Sequence, residues 1–291
     1  MDQFPDGHHL WLRSREHGTY LHADEDGHGV SLSRRRASMN AAWAVHRNHG
    51  DDQHVLLYSA AYGRYLVATD ASAPRGCRGF RVEQRNYDGE LEQEAIRWQA
   101  LTNGSGDYIL LRNAAYGRYG YLRANGRHPG WNEAVVSVDD FPSTVMQWVV
   151  VHIPSVDPFD NFSTMMEWVV VPIPIRQSVP RLPRPNWLAE SLAALLPPWE
   201  VELMGYGEEV YPNPVWFFFR GWSVFRLRNQ LAYLLGIMRF DRDDFVMYVR
   251  AGTHGRFTPL VVDLPLSRLT LGIRVELPAN VEQRYLNVDA E

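Results

Sequence analysis

The chain has 291 residues, enough for about two domains with cores of their own, and an apolar share of 45% that is ordinary for a globular protein. A net charge of −5 argues against a general attraction to nucleic acid, and no apolar run approaches the ~18 residues of a membrane helix. The polar start, MDQFPDGHHLWLRSREHG, lacks the apolar stretch of a secretory signal, and the single cysteine, Cys77, cannot form an internal disulfide, so the cytosol or the nucleus is the expected compartment.

Taken in chain order, the first half repeats itself three times. Leu10 and Leu12, Val55 and Leu57, and Ile109 and Leu111 each form a short alternation of period two. A polar turn follows, ending at Gly18, Gly63 or Gly117, and the last two lie inside identical Ala-Ala-Tyr-Gly-Arg-Tyr hexapeptides at 60–65 and 114–119. Next come Tyr20-Leu21, Tyr65-Leu66 and Tyr121-Leu122, closed by Ala23, Ala68 and Ala124. Each unit ends in a tryptophan with strand-like neighbours, Trp43, Trp98 and Trp148, spaced by about 50 residues. Hairpin units of this size cannot bury an apolar face alone. The pattern therefore predicts a β-trefoil over 1–154, with four strands per unit about a threefold axis and the leucines and tryptophans inside. The glycine of each turn supplies backbone open to positive φ.

The stretch STVMQWVVVHIP, starting at Ser143, recurs as STMMEWVVVPIP from Ser163. Only one copy can close the third unit, and Trp148 of the first keeps the tryptophan spacing. A surplus strand with three consecutive valines should not stand bare in water. It is expected to pair with the C-terminal domain or with a partner subunit, which would give a homodimer. Residues 155–200 read as this duplicated strand and a linker stiffened by Pro180, Pro183, Pro185, Pro197 and Pro198, with a short helix after Asn186.

From Val201 the order becomes strand, turn, strand, helix, then three strands. The helix WSVFRLRNQLAYLLG is capped by Ser223, turns Phe225, Leu227, Leu231, Leu234 and Leu235 inward, and stops at Gly236. This order predicts a ubiquitin-like β-grasp domain over 201–277, followed by a tail at 278–291. The fold class is thus mostly β: a trefoil joined to an α+β module of a kind that often binds proteins.

Ricin-type sugar-binding trefoils carry Gln two residues before the repeat tryptophan, where this chain has Ala41, Ile96 and Met146. An apolar strand, then Gly-x-Tyr-Leu-x-Ala, then a later Trp resembles the fascin-like trefoils of actin-bundling proteins. FPDGHHLWLRSREHGTYLHADEDG, RGFRVEQRNYDGELEQEAIRWQA, STMMEWVVVPIP and VRAGTHGRFTPLVVDLP resemble, more closely, a plant family described as actin cross-linking, a domain of unknown function. The resemblance implies the two-domain architecture and actin as a partner. It brings no catalytic residues. Its phrase for the closing strand lies nearer the second copy than the first.

Chemistry is sparse. Arg34-Arg35-Arg36 is a local basic run suited to a phosphate or an acidic partner. Tyr62, Arg64, Tyr116 and Arg118 flank the turn glycines and could surround a pocket for a glycan or small metabolite. His46 and His49 beside Asp51 and Asp52 form the one compact metal candidate, which reads more simply as a polar loop between trefoil units, and no metal is expected. No phosphate loop, dinucleotide fingerprint or nucleophile elbow is present, and no cofactor is expected. Three functions follow: a cytosolic, non-enzymatic interaction or scaffold protein, actin-binding or cross-linking, in plant stress or defence; a carbohydrate- or metabolite-binding trefoil; or a plant defence-metabolism enzyme with a site between its domains.

Overall fold

The computed structural model describes residues 3–48, 50–73, 79–88, 93–102, 108–117, 120–125, 133–137, 167–176, 182–184, 191, 195, 197–206, 209–236, 245–266, 270–276 and 285–286. Three units of four strands build the first domain. The first unit holds β1 (His9–Ser14), β2 (Tyr20–Ala23), β3 (Val30–Ser33) and β4 (Trp43–His46). The second holds β5 (Leu56–Ser59), β6 (Tyr65–Ser72), β7 (Phe80–Arg85), a one-turn helix α1 (Gln93–Ile96) and β8 (Trp98–Thr102). The third holds β9 (Ile109–Asn113), β10 (Tyr121–Asn125), β11 (Glu133–Ser137) and β12 (Glu167–Pro172).

The threefold relation can be checked atom by atom. Trp43 pairs with Leu10 at the start of its own unit and with Ser59 of the next; Trp98 bridges to Val55 and pairs with Asn113; Trp168 pairs with Ile109 and, across the closure, with Ser14. Each indole donates to the carbonyl of the Tyr-Leu leucine in its own unit: Trp43 to Leu21 at 3.1 Å, Trp98 to Leu66 at 2.9 Å, Trp168 to Leu122 at 3.1 Å. Burying an indole without a partner for its N–H would cost free energy, and all three are fully buried and satisfied. The same core holds Leu12, Leu57, Leu111, Leu21, Leu66, Leu122, Ala23, Ala68 and Ala124.

The third indole is therefore Trp168, not Trp148. Strand β12 carries the barrel shut between β1 and β9, so the closing strand of the trefoil lies at Glu167–Pro172. Spacing alone pointed to the first copy because both copies carry Trp-Val-Val-Val. What distinguishes the second is Glu167: buried, it pairs with Arg15, whose guanidinium also lies 4.1 Å from the Tyr108 ring centre. Gln147 of the first copy could not form that ion pair. Residues 143–154, and most of the linker with its expected helix, lie outside the described residues, so pairing of a surplus strand does too.

Beyond the barrel, β13 (Ile175–Arg176) pairs antiparallel with β19 (Tyr285–Leu286), within the segment expected as a tail. The second domain contains β14 (Trp199–Tyr206), β15 (Glu209–Phe219), α2 (Val224–Leu234), β16 (Val246–Arg250), β17 (Phe257–Pro259) and β18 (Leu271–Glu276). Its sheet order is β15-β14-β18-β16-β17, with β14 and β18 parallel and the other neighbours antiparallel. This is the mixed sheet of a β-grasp. Ser223 caps α2 through Arg226 N at 3.4 Å, and Asp263 accepts from Val224 N at 3.0 Å. Gly236, at φ +69°, ends the helix. The buried stripe is narrower than expected: Val224, Leu227 and Leu231 are inside, whereas Leu234 is exposed. Arg228 is buried instead and donates to Phe245 O at 2.9 Å.

The two domains share a continuous seam. In the loop after β16, Ala251 O accepts from Tyr87 N and His254 N donates to Tyr87 O, at 3.1 and 2.9 Å. Thr253 N donates to Asp88 at 2.9 Å. Gly252 is required here, because it stands at φ +80° and a Cβ would come within 2.6 Å of Tyr87 O. Arg256 adds an ion pair with Asp6 at 3.0 Å.

Candidate functional site

The turn before β6 was expected to expose Tyr62 and Arg64 around a pocket. It does the opposite. Arg64 is only 4% exposed and donates to Gly27 O; Tyr62 is buried and accepts from Asn40 Nδ2 at 3.2 Å. Burial lowers the Arg64 guanidinium to about 10 and raises the Tyr62 phenol. Those partners belong to the first unit of the trefoil, and the second domain packs on the glycine between the two residues. Gly63 lies under β17, where an added Cβ would sit 3.1 Å from Thr258 Cγ2.

Two residues on, Tyr65 is the polar centre of the seam. Its hydroxyl contacts His46 Nδ1 at 2.8 Å and accepts from Arg256 N at 3.1 Å. Tyr58 and Tyr87 pack against its ring at 5.5 and 5.6 Å. Burial, with Arg256 beside it, pushes the His46 imidazole down to about 4; burial lifts Tyr65 and moves Tyr58 to about 12. Neutral and engaged at Nδ1, His46 serves packing. Its metal companion His49 lies outside the described residues, and among those described no three His, Cys, Asp or Glu side chains converge as metal ligands.

The second hexapeptide behaves differently. Asn113 caps its turn through Ala115 N at 3.1 Å, Gly117 stands at φ +57°, and the turn is partly exposed. Tyr116 folds back to donate to Thr69 O and stacks on Phe80 at 5.1 Å. Arg118 lies outside the described residues, as does Cys77. In the first unit Arg34 and Arg35 are exposed, while Arg36 lies over the Trp11 ring at 5.5 Å. The six of these seven residues that the structure describes lie in separate segments: Tyr62 and Arg64 in one turn, Tyr116 in another, and Arg34, Arg35 and Arg36 after β3.

A surface that none of those residues marked lies on the second domain. Val215, Trp216 and Phe218 of β15 are 52%, 55% and 66% exposed. Trp216 and Phe218 point to the face of the sheet away from α2 and stand opposite Glu202 and Glu200 on β14. A groove of about 500 Å³ beside Phe218 is lined by Pro198, Phe219, Arg220, Arg226 and Gln230. The signal in the sequence was the unbroken run VWFFF. One helix covers one face of a sheet, so half of such a run must face outward. Among the described residues no helix is long and apolar enough to cross a membrane, so these aromatics do not belong to a helical span.

A β-trefoil fused through a packed seam to a ubiquitin-like domain is the class that this fold defines. The chain belongs to the DUF569 family: residues 1–151 match its β-trefoil domain of unknown function, and residues 206–275 match the DUF569-associated ubiquitin-like domain. Among solved structures, the SDF2-like protein from Arabidopsis thaliana aligns at 14% identity and a TM-score of 0.44, over 58% of this chain and 94% of that one. The ricin B-like lectin of Macrolepiota procera, in complex with lactose, aligns at 14% and 0.39, over 57% and 96%. A Caenorhabditis elegans protein of unknown function aligns at 18% and 0.41, over 58% and 97%. No curated protein matches by sequence.

Proposed function

We propose that this chain is a non-enzymatic interaction protein of the cytosol or nucleus, a scaffold in plant stress or defence responses that holds a protein partner on the outer face of β14 and β15. The observation that carries this reading is the pair Trp216 and Phe218, more than half exposed on a domain whose other large side chains are mostly packed. Aromatic side chains of this kind anchor protein interfaces. Glu200 and Glu202 opposite them give the patch an acidic rim, so it fits an apolar segment carrying Lys or Arg.

Actin is the partner implied by the family resemblance, and Arg34 and Arg35 offer a second, basic contact on the trefoil. Co-sedimentation with filamentous actin over a salt series tests both. Wild type should pellet with filaments, and W216S/F218S should lose about tenfold in affinity, the size expected when aromatic anchors are removed. Wild-type protein that stays in the supernatant at every salt concentration removes actin as the partner. Equal pelleting of the double variant removes the patch as the surface.

A further inference from the structure

The turn at Gly117 borders a cavity of about 350 Å³, walled by His54, Glu94, Gln99, Arg112, Ala114 and Gly117. That size falls in the lower part of the roughly 300–1,000 Å³ range of small-molecule sites. A Cβ placed on Gly117 would meet nothing within 4 Å, so the space reaches the backbone of the turn.

The charges around this cavity are unevenly matched. Arg97 is paired twice, with Glu94 at 3.1 Å and with Asp51 at 3.8 Å. Asp51 also receives His54 Nδ1 at 2.9 Å and the backbone N–H groups of Gln53 and His54 at 3.2 and 3.1 Å. That network fixes the imidazole and leaves Nε2 as its other polar atom. Arg112 stands directly opposite Gln99 in the β8–β9 ladder and donates to its amide oxygen. Among the described residues no carboxylate pairs with Arg112, which is only half-buried. Among the described residues the cavity thus contains one guanidinium that no carboxylate pairs, an oriented imidazole, and the amide and carboxylate of Gln99 and Glu94.

We propose that this cavity binds a small hydroxylated anion, a sugar acid or a sugar phosphate, whose charged group meets Arg112 and whose hydroxyls meet Gln99, Glu94 and His54. A guanidinium recognises either carboxylate or phosphate through paired N–H groups. An uncharged sugar would leave Arg112 unmatched, and inorganic phosphate would forgo the hydroxyl contacts.

Isothermal titration and saturation-transfer NMR on the full chain should use glucuronate, glucose 6-phosphate, glucose and inorganic phosphate as separate probes. One of the two sugar anions should bind saturably, and its identity tells carboxylate from phosphate. Glucose and phosphate should each bind at least about tenfold more weakly, the loss expected from removing one charged hydrogen bond. R112Q should weaken the sugar anion by a similar factor, R112K should restore part of it, and W216S/F218S should leave it unchanged. A thermal melt shows whether R112Q is folded; if it is not, R112K and G117W, which fills the space beside the turn, carry the test. Absence of saturable binding by both sugar anions overturns the proposal. So does equal binding of glucose, or binding that survives both an Arg112 substitution and G117W.

Discussion

Two copies of Ala-Ala-Tyr-Gly-Arg-Tyr fold into the same kind of turn and then part company. At 60–65 a serine, Ser59, receives the N–H groups of Ala61 and Tyr62, Gly63 stands at φ +67°, and Thr258 of the second domain packs over that glycine. At 114–119 Asn113 plays the serine's part, Gly117 has φ +57°, and a cavity borders the turn. Local sequence therefore sets backbone geometry, while burial, protonation and availability for binding come from whatever packs on top.

The comparison breaks first if the barrel beneath both turns is not threefold. W168A should cost about 3–5 kcal/mol, the usual loss for a fully buried indole, as W43A and W98A should. Chemical denaturation measures this directly. A W168A loss well under 1 kcal/mol would mean that another residue fills the third position.

A smaller and more selective effect separates the turns themselves. Both glycines have positive φ, so any substitution costs about 1–2 kcal/mol in strain. G63V adds a collision with Thr258 and should loosen the seam, seen as faster proteolysis between the domains. G117V faces open space and should show strain alone. Equal behaviour of the two variants would sink the idea that the second domain covers only the first copy.

Acidity should act on the covered turn most gently. His46, and His9 in β1, are each pushed down to about 4, His46 by burial and then Arg256, His9 by burial and then His8. The unfolded chain takes up these protons near pH 6.5, the folded chain only near pH 4. Their contribution to stability is thus complete above about pH 6.5 and declines as pH falls towards 4. H46Q should flatten part of that slope in thermal melts recorded across the interval. An unchanged slope would place the titrating group elsewhere.

The repeating units, the Tyr-Leu leucines and the glycine turns were legible in the sequence because each is written in a short local pattern. The β-grasp order was legible for the same reason, down to Ser223 and Gly236 at the ends of α2. What escaped depended on contacts between distant residues. Nothing in two identical hexapeptides distinguishes the one that meets Thr258. Trp148 and Trp168 share their neighbours, and the buried Glu167–Arg15 pair that marks the second copy spans most of the trefoil. The aromatic face of β15 was hidden in an apolar run that reads equally well as core, and the cavity beside Arg112 is assembled from four separate segments.

Strand β15 is the outer strand of its sheet; Phe218 O on it accepts from Gln230 Nε2 at 3.1 Å, and Pro214 stands earlier in the same strand. Proline offers no N–H, and the ladder loses register near Met204 just beyond it. A neighbouring strand zipping onto this rim would meet a gap at the proline. That gap disfavours edge-to-edge pairing beside the exposed tryptophan and phenylalanine.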